Sequence, residues 1–237
     1  MRTRASGLIA LLHRLGFEHR KPDLVPSKAD PEAQAAFIRD YEALLNRMEA
    51  DEAAVFADAI HPTHAVRPVG CWAPKDGPPI AVAQTSGRQR LNLHSAIDLE
   101  TGATRMLEVT TVNAISTIML LMTIEAMFPN RRLIHVFLDN ARYHHAKLVQ
   151  AWLARPGCRI KLHFIPVYCP HLDPIERLWG LMHRHVTHNR CHPTFAEFKT
   201  AVLDFLRDEV PRKWRVFRDT VTDNFRIITP ANFRVLA

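Results

Sequence analysis

The sequence predicts an α/β fold in which a mixed sheet carries helices on its faces. Three observations lead there. Apolar residues recur at helical spacing up to about residue 50, then switch near residue 53 to runs of strand length. A group of adjacent strands comes next, followed by alternating helix and strand. Within that alternation Leu133–Leu138 is apolar without a break, as a strand covered on both faces requires.

In chain order, residues 4–17 read as a short helix with Leu8, Leu11, Leu12 and Leu15 on one face, ended by Gly16. A Lys/Pro-rich connector, His19–Pro31, follows. Asp30-Pro31-Glu32 then opens a second helix that runs through Tyr41 and Leu44 to Met48, with Asp30 as N-cap and Pro31 at the first helical position. Strands are predicted over Ala53–Ile60, Ile80–Gln84, Leu91–Ile97 and Thr104–Val109. Asp98–Gly102 supplies a hairpin connection in which Gly102 is free to take positive φ. A dense apolar helix covers 112–128, then come strand Leu133–Leu138, a helix from about Asn140 to Leu153, and strand Ile160–Ile165. The proline-punctuated loop Pro166–Pro174 leads to helices at about 174–187 and 194–209. No internal repeat or low-complexity tract is present.

Composition excludes several classes. No run of eighteen apolar residues exists, so no membrane span is expected. The apolar patch Leu8–Leu12 is interrupted by His13 and Arg14 without a small-residue cleavage site, which argues against a signal peptide. The four cysteines are scattered without a CxxC pair, a pattern of reduced thiols rather than of a disulfide framework or a standard zinc site. The formal net charge is +7, and it is concentrated late: residues 177–237 hold 11 basic against 6 acidic side chains. A basic surface of this kind suits a polyanion, because Lys and Arg gain affinity by releasing counterions from phosphates.

Three carboxylates stand out. Asp58 lies within Val55-Phe-Ala-Asp-Ala-Ile60, where Asp is disfavoured unless it faces water or serves a function. Asp139 ends the apolar strand at the position where ligands collect in sheets of this type, although it could equally cap the next helix. Glu176 follows Asp173-Pro174-Ile175 and fits the third helical position of a capping box as well as a functional site. Ile175, Leu178, Trp179 and Met182 form the core face of that helix, leaving Glu176, Gly180 and His183 on an adjacent face. Taken jointly the pattern is more specific than any member. A carboxylate on the first strand, one at a later strand tip and one at the start of a late helix can converge on one spot, where hard oxygen ligands suit two ions of Mg²⁺ or Mn²⁺.

Val55-Phe-Ala-Asp58-Ala-Ile-His-Pro-Thr-His64, Phe137-Leu-Asp139-Asn-Ala-Arg-Tyr-His144 and Pro166-Val-Tyr-Cys-Pro-His-Leu-Asp-Pro-Ile-Glu176-Arg-Leu-Trp179 resemble the three catalytic blocks of the bacterial insertion-sequence transposases related to mariner elements. The resemblance covers roughly residues 50–210, and Asp139 and Glu176 are separated by about the interval that family uses. It implies a ribonuclease H-like fold and an Asp-Asp-Glu triad carried onto Asp58, Asp139 and Glu176, with cut-and-paste transposition, commonly into TA dinucleotides. It also implies double-stranded DNA as partner (transposon ends and target), a homodimer on that DNA, and a cytoplasmic protein acting at the bacterial nucleoid. Residues 1–50 then become a remnant of a helix-turn-helix region with linker and connecting helix, and 51–237 the catalytic domain. Asp173 stands where the family usually has Asn, which adds a charge close to the metals. Two alternatives accompany this reading, a truncated DNA-binding fragment that does not transpose and a nuclease of the same fold. Outside the triad, His144 is expected to face substrate, and the cluster His183, His185, His188 and His192 to sit near phosphates or on a solvated helix face.

Overall fold

The computed structural model describes residues 5–18, 28–74, 76–85 and 87–229. Most of the predicted connector, residues 19–27, lies outside the described residues. The elements are α1 (Ala5–Arg14), α2 (Pro31–Arg47), β1 (Glu52–Ile60), β2 (Leu93–Asp98), β3 (Thr104–Glu108), α3 (Ala114–Met127), β4 (Leu133–Leu138), α4 (Lys147–Leu153), β5 (Ile160–Phe164), α5 (Pro174–Met182), α6 (Phe195–Asp204), α7 (Val210–Arg212) and α8 (Trp214–Phe217). Among the described residues no helix is long and apolar enough to cross a membrane.

The five strands lie in the order β3-β2-β1-β4-β5. β1, β2 and β3 pair antiparallel, as hairpin-connected strands do, whereas β4 and β5 join β1 in parallel through helical crossovers. The sheet is therefore mixed and carries helices, as predicted. Period-two alternation sends successive side chains of β1 to opposite faces. Phe56 packs with α2, α5 and α6, while Val55 and Ala57 pack with α3 and α4. On the first face Phe56 and Phe137 stack at 5.0 Å, and Tyr41 of α2 meets Phe137 edge-on at 5.1 Å.

Two predictions need correction. Ile80–Gln84 pairs with no strand; Pro78 and Pro79 precede it without N–H groups, and Ile80 is exposed. The single helix expected from Asn140 to Leu153 is broken into a 3₁₀ turn, Arg142–His145, and α4, with Ala146 extended between them at ψ 143°. The interruption coincides with the burial of His144, which turns inward toward Asp139 and Thr117. The caps follow the sequence more closely. Asp30 accepts from the backbone N–H of Glu32 and Ala33, and α5 and α6 continue as π turns over His183–Thr187 and Phe205–Glu209.

The β2–β3 hairpin anchors the far end of the chain. Asp98 accepts from the backbone N–H of Glu100 and from the Thr101 hydroxyl, and Gly102 takes φ +72°. A Cβ on Gly102 would lie 2.4 Å from the buried Trp214 ring. Gly102→Ala therefore combines left-handed backbone strain with overpacking and should destabilise the fold by at least about 2 kcal/mol in urea denaturation. An unchanged midpoint would mean that Trp214 yields freely.

Candidate active site

Strand register determines where the acidic residues meet. Ala57 of β1 pairs with Leu138 of parallel β4, so the next residue on each strand, Asp58 and Asp139, emerges side by side. This is the carboxyl end of the parallel strands, where side chains and loops are free to build a site. α5 enters from the other side, and one cavity of about 360 Å³ is lined by Asp58, Asp139, Asp173 and Glu176 together with Tyr168 and Asn140. All three sequence-predicted acids thus share one cavity.

Each strand carboxylate is held by a ring N–H. The Trp179 indole Nε1 donates to Asp58 Oδ2 at 2.8 Å, tying α5 to β1. His144 Nε2 lies 3.3 Å from Asp139 Oδ1, the same oxygen that accepts from the Ala141 backbone N–H. Thr117 lies 3.4 Å from His144 Nδ1 and donates to the Asn113 carbonyl, so the imidazole is braced from α3. The two carboxylates respond differently. Burial pushes Asp58 above its ordinary range despite the indole, whereas the His144 contact holds the more exposed Asp139 below its own.

At the start of α5 the two acids divide their roles. Asp173 is buried and caps the helix by accepting from the Ile175 N–H at 3.2 Å. Burial and the nearby Asp58 push its carboxyl well above the ordinary range. That favours the protonated form, which approximates the Asn amide of the resembled family. The charge expected from Asp173 is therefore opposed by its setting. Glu176 stands at the solvent edge of the cavity, where partial burial, Asp58 and Asp139 together raise it to about 7.

The histidines are placed differently from the expectation. His144 braces Asp139 from a buried position and lines neither of the cavities that border that carboxylate. His183 is buried against Thr187, His185 stacks on Phe205 at 5.1 Å, and the His192 imidazole bonds the Val186 carbonyl. These rings knit the ends of α5 and α6 together. Trp179 was assigned only to the core face in the sequence. Its signal was the indole N–H, which needs a partner when buried, one turn beyond Glu176.

Like charges gathered at one cavity oppose ionisation, and a cation removes the conflict. The donors are carboxylate oxygens, the hard set that Mg²⁺ and Mn²⁺ prefer, and Asp139 Oδ2 takes no part in the contacts above. The residues fit a divalent ion. Among the described residues no three acidic, His or Cys side chains already lie close enough to grip one ion.

Comparison with known proteins shows the family and the fold. Residues 53–199 match the family described as DDE superfamily endonuclease, and residues 4–41 match that described as winged helix-turn helix. A curated relative, the IS630 insertion element 39 kDa protein of Shigella sonnei, is 27% identical over 94 residues. That alignment covers 40% of this chain and 27% of the relative. Among solved structures, the Mos1 strand transfer complex superimposes with a TM-score of 0.62 at 16% identity, covering 93% of this chain and 71% of that one. The Mos1 mariner paired end complex with Mn gives 0.61 at 14% identity, covering 93% and 72%. At such identity the likeness is one of fold.

The raised Glu176 carboxyl makes metal-free stability depend on pH. Its ordinary value is 4.5 and its folded value about 7, so between the two the folded state keeps a proton that the unfolded chain has released. This contribution is fully present below the window and is lost as pH rises through it. His94, His163 and His183, each pushed down to about 4 by burial, act in the opposite direction, losing stability as pH falls below 6.5. Parent and Glu176→Gln should therefore be compared across pH 5 to 8 without divalent ions. The gap in melting temperature should widen in favour of the variant as pH rises; a gap independent of pH would remove Glu176 from the charge cluster.

Proposed function

The chain belongs to the DDE superfamily endonucleases, and from that premise we propose that it is a DNA transposase catalytic domain in which Asp58, Asp139 and Glu176 hold two divalent ions, Mg²⁺ or Mn²⁺. The observation that carries this reading is the convergence of three carboxylates from two parallel strand ends and a helix start upon one cavity, where partial burial, with Asp58 and Asp139 adding to it, raises Glu176 to about 7. Bound there, the ions would activate water or a 3′-hydroxyl and stabilise the leaving oxygen of an in-line displacement.

The protein's own groups supply position. Asp58 and Asp139 are fixed laterally by strand register and by one ring N–H each. Glu176 closes the cluster from a helix whose first turn is capped by Asp173. Ile165, Pro166 and Val167 add apolar surface to the same cavity. The substrates under this reading are double-stranded transposon ends and target DNA, with TA dinucleotides as the preferred target and a homodimer as the working form. The relatives named above include a strand transfer complex and a paired end complex, which supports that choice over a plain nuclease.

Asp58→Asn, Asp139→Asn and Glu176→Gln should each lower Mg²⁺-dependent nicking of a terminal-repeat duplex by about a thousandfold, the scale seen when a group stabilising transition-state charge is removed. Circular dichroism should remain parental. Mg²⁺ or Mn²⁺ should raise the parental melting temperature, and less so that of each variant, since a ligand of the folded state stabilises it. Joining of a pre-cut 3′ end to a TA-containing duplex separates a transposase from a nuclease. Parental nicking by Asp58→Asn would end the proposal.

A further inference from the structure

The pair Asp58–Asp139 borders a second cavity, of about 390 Å³, on the β2 side of the carboxylates. Its lining is chemically unlike that of the first. The first cavity is walled by Ile165, Pro166, Val167, Tyr168 and Pro170 and includes no cationic side chain. The second is walled by His61, Arg90, Asn92, Thr110 and Tyr143. Its lining combines the carboxylates of Asp58 and Asp139 with the guanidinium of Arg90.

Its polar wall is organised. Asn92 donates through Nδ2 to the Thr110 carbonyl at 2.9 Å, which orients its Oδ1 to accept. That oxygen lies 2.8 Å from His61 Nδ1, so Nδ1 carries the proton and Nε2 is left outside the pair. Arg90 is exposed, and among the described residues it pairs with no carboxylate. Its backbone is fixed by a bridge to Thr63, and the neighbouring Leu91 is buried. The backbone at Arg90 is therefore anchored, and among the described residues its guanidinium has no carboxylate partner. A free Arg beside an ordered polar wall, opening onto an acidic centre, suits a ligand carrying its own negative charge. The planar fork of Arg matches a phosphate bidentately.

We propose that this second cavity is a phosphodiester-binding cleft in which Arg90, with the His61–Asn92 pair beside it, holds a backbone phosphate of the DNA strand that passes Asp58 and Asp139 toward β2. The inference rests on the reading of the carboxylates as the cutting centre and adds the path of the strand through it. Two cavities meet at one pair of carboxylates, the first lined by two further acids, Asp173 and Glu176, and the second by Arg90. The phosphate-bearing strand runs along the side with the guanidinium.

The test uses the full chain, with Arg90→Ala, Arg90→Lys and, as control, Arg88→Ala, an exposed arginine two residues away that does not line the cleft. Binding to a duplex with a pre-cut 3′ end is measured by anisotropy in chelator at several salt concentrations between about 50 and 300 mM. Arg90→Ala should reduce the slope of log K against log salt by about 1 and weaken binding three- to tenfold at the lowest salt, the effect of losing one phosphate contact. Arg90→Lys should recover most of the slope, and Arg88→Ala should leave it parental. In Mg²⁺, Arg90→Ala should raise KM for DNA while kcat at saturation stays within about twofold, because the loss is one of uniform binding. Melting temperature and its Mg²⁺ response should not move. A parental slope in Arg90→Ala, or an equal loss in Arg88→Ala, overturns the cleft while parental nicking still supports the cutting centre. Failure of the parent to nick, with the Arg90 slope change intact, overturns the cutting centre and leaves the cleft standing.

Discussion

Parallel pairing of β1 with β4 is the constraint on which the molecule turns. Both strands are covered on both faces, so their register is held by two cores at once, Val55, Ala57, Val136 and Leu138 on one side and Phe56 and Phe137 on the other. A slip of one residue would exchange every one of these between faces and separate Asp58 from Asp139. The apolar interior thereby sets the position of polar groups at its edge.

The strands, caps and helices that depend on local pattern were legible in the sequence. Asp30, Asp98 and Asp173 cap or turn the chain as their types suggest, and Gly102 takes the positive φ its place in the hairpin allowed. Of the three acidic positions only Asp58 sits where local stability would not choose it; Asp139 and Glu176 also fit helix-capping roles. Their joint meaning came from order along the chain and from a family resemblance. What remained hidden was tertiary. No local pattern says that His144 will turn inward to Asp139 and break a helix, or that the Trp179 indole will reach Asp58. Ile80–Gln84 has strand composition, but it follows Pro78 and Pro79 and remains exposed at Ile80, without a neighbouring strand among the described residues.

The site also shows how a fold resolves competing demands on one helix end. Asp173 and Glu176 occupy the two acidic positions of a capping pattern, yet only Asp173 is buried and bonded to the backbone in that role. Glu176 is left to face the cavity. The capping signature in the sequence was genuine and incomplete, since the same local motif serves stability through one member and presents the other outward.

The spacing of the three acids along the chain has a kinetic side. Asp58, Asp139 and Glu176 belong to β1, the end of β4 and α5, and they meet only when the central strands have paired in parallel and α5 has docked through Trp179. Contacts between such distant segments form late, because loop closure has to precede the packing that rewards it. A partly synthesised or partly folded chain can therefore have local helices and hairpins while its acidic residues remain apart. The constellation is thus a property of the paired central strands and the docked α5 together, and of no single segment among them.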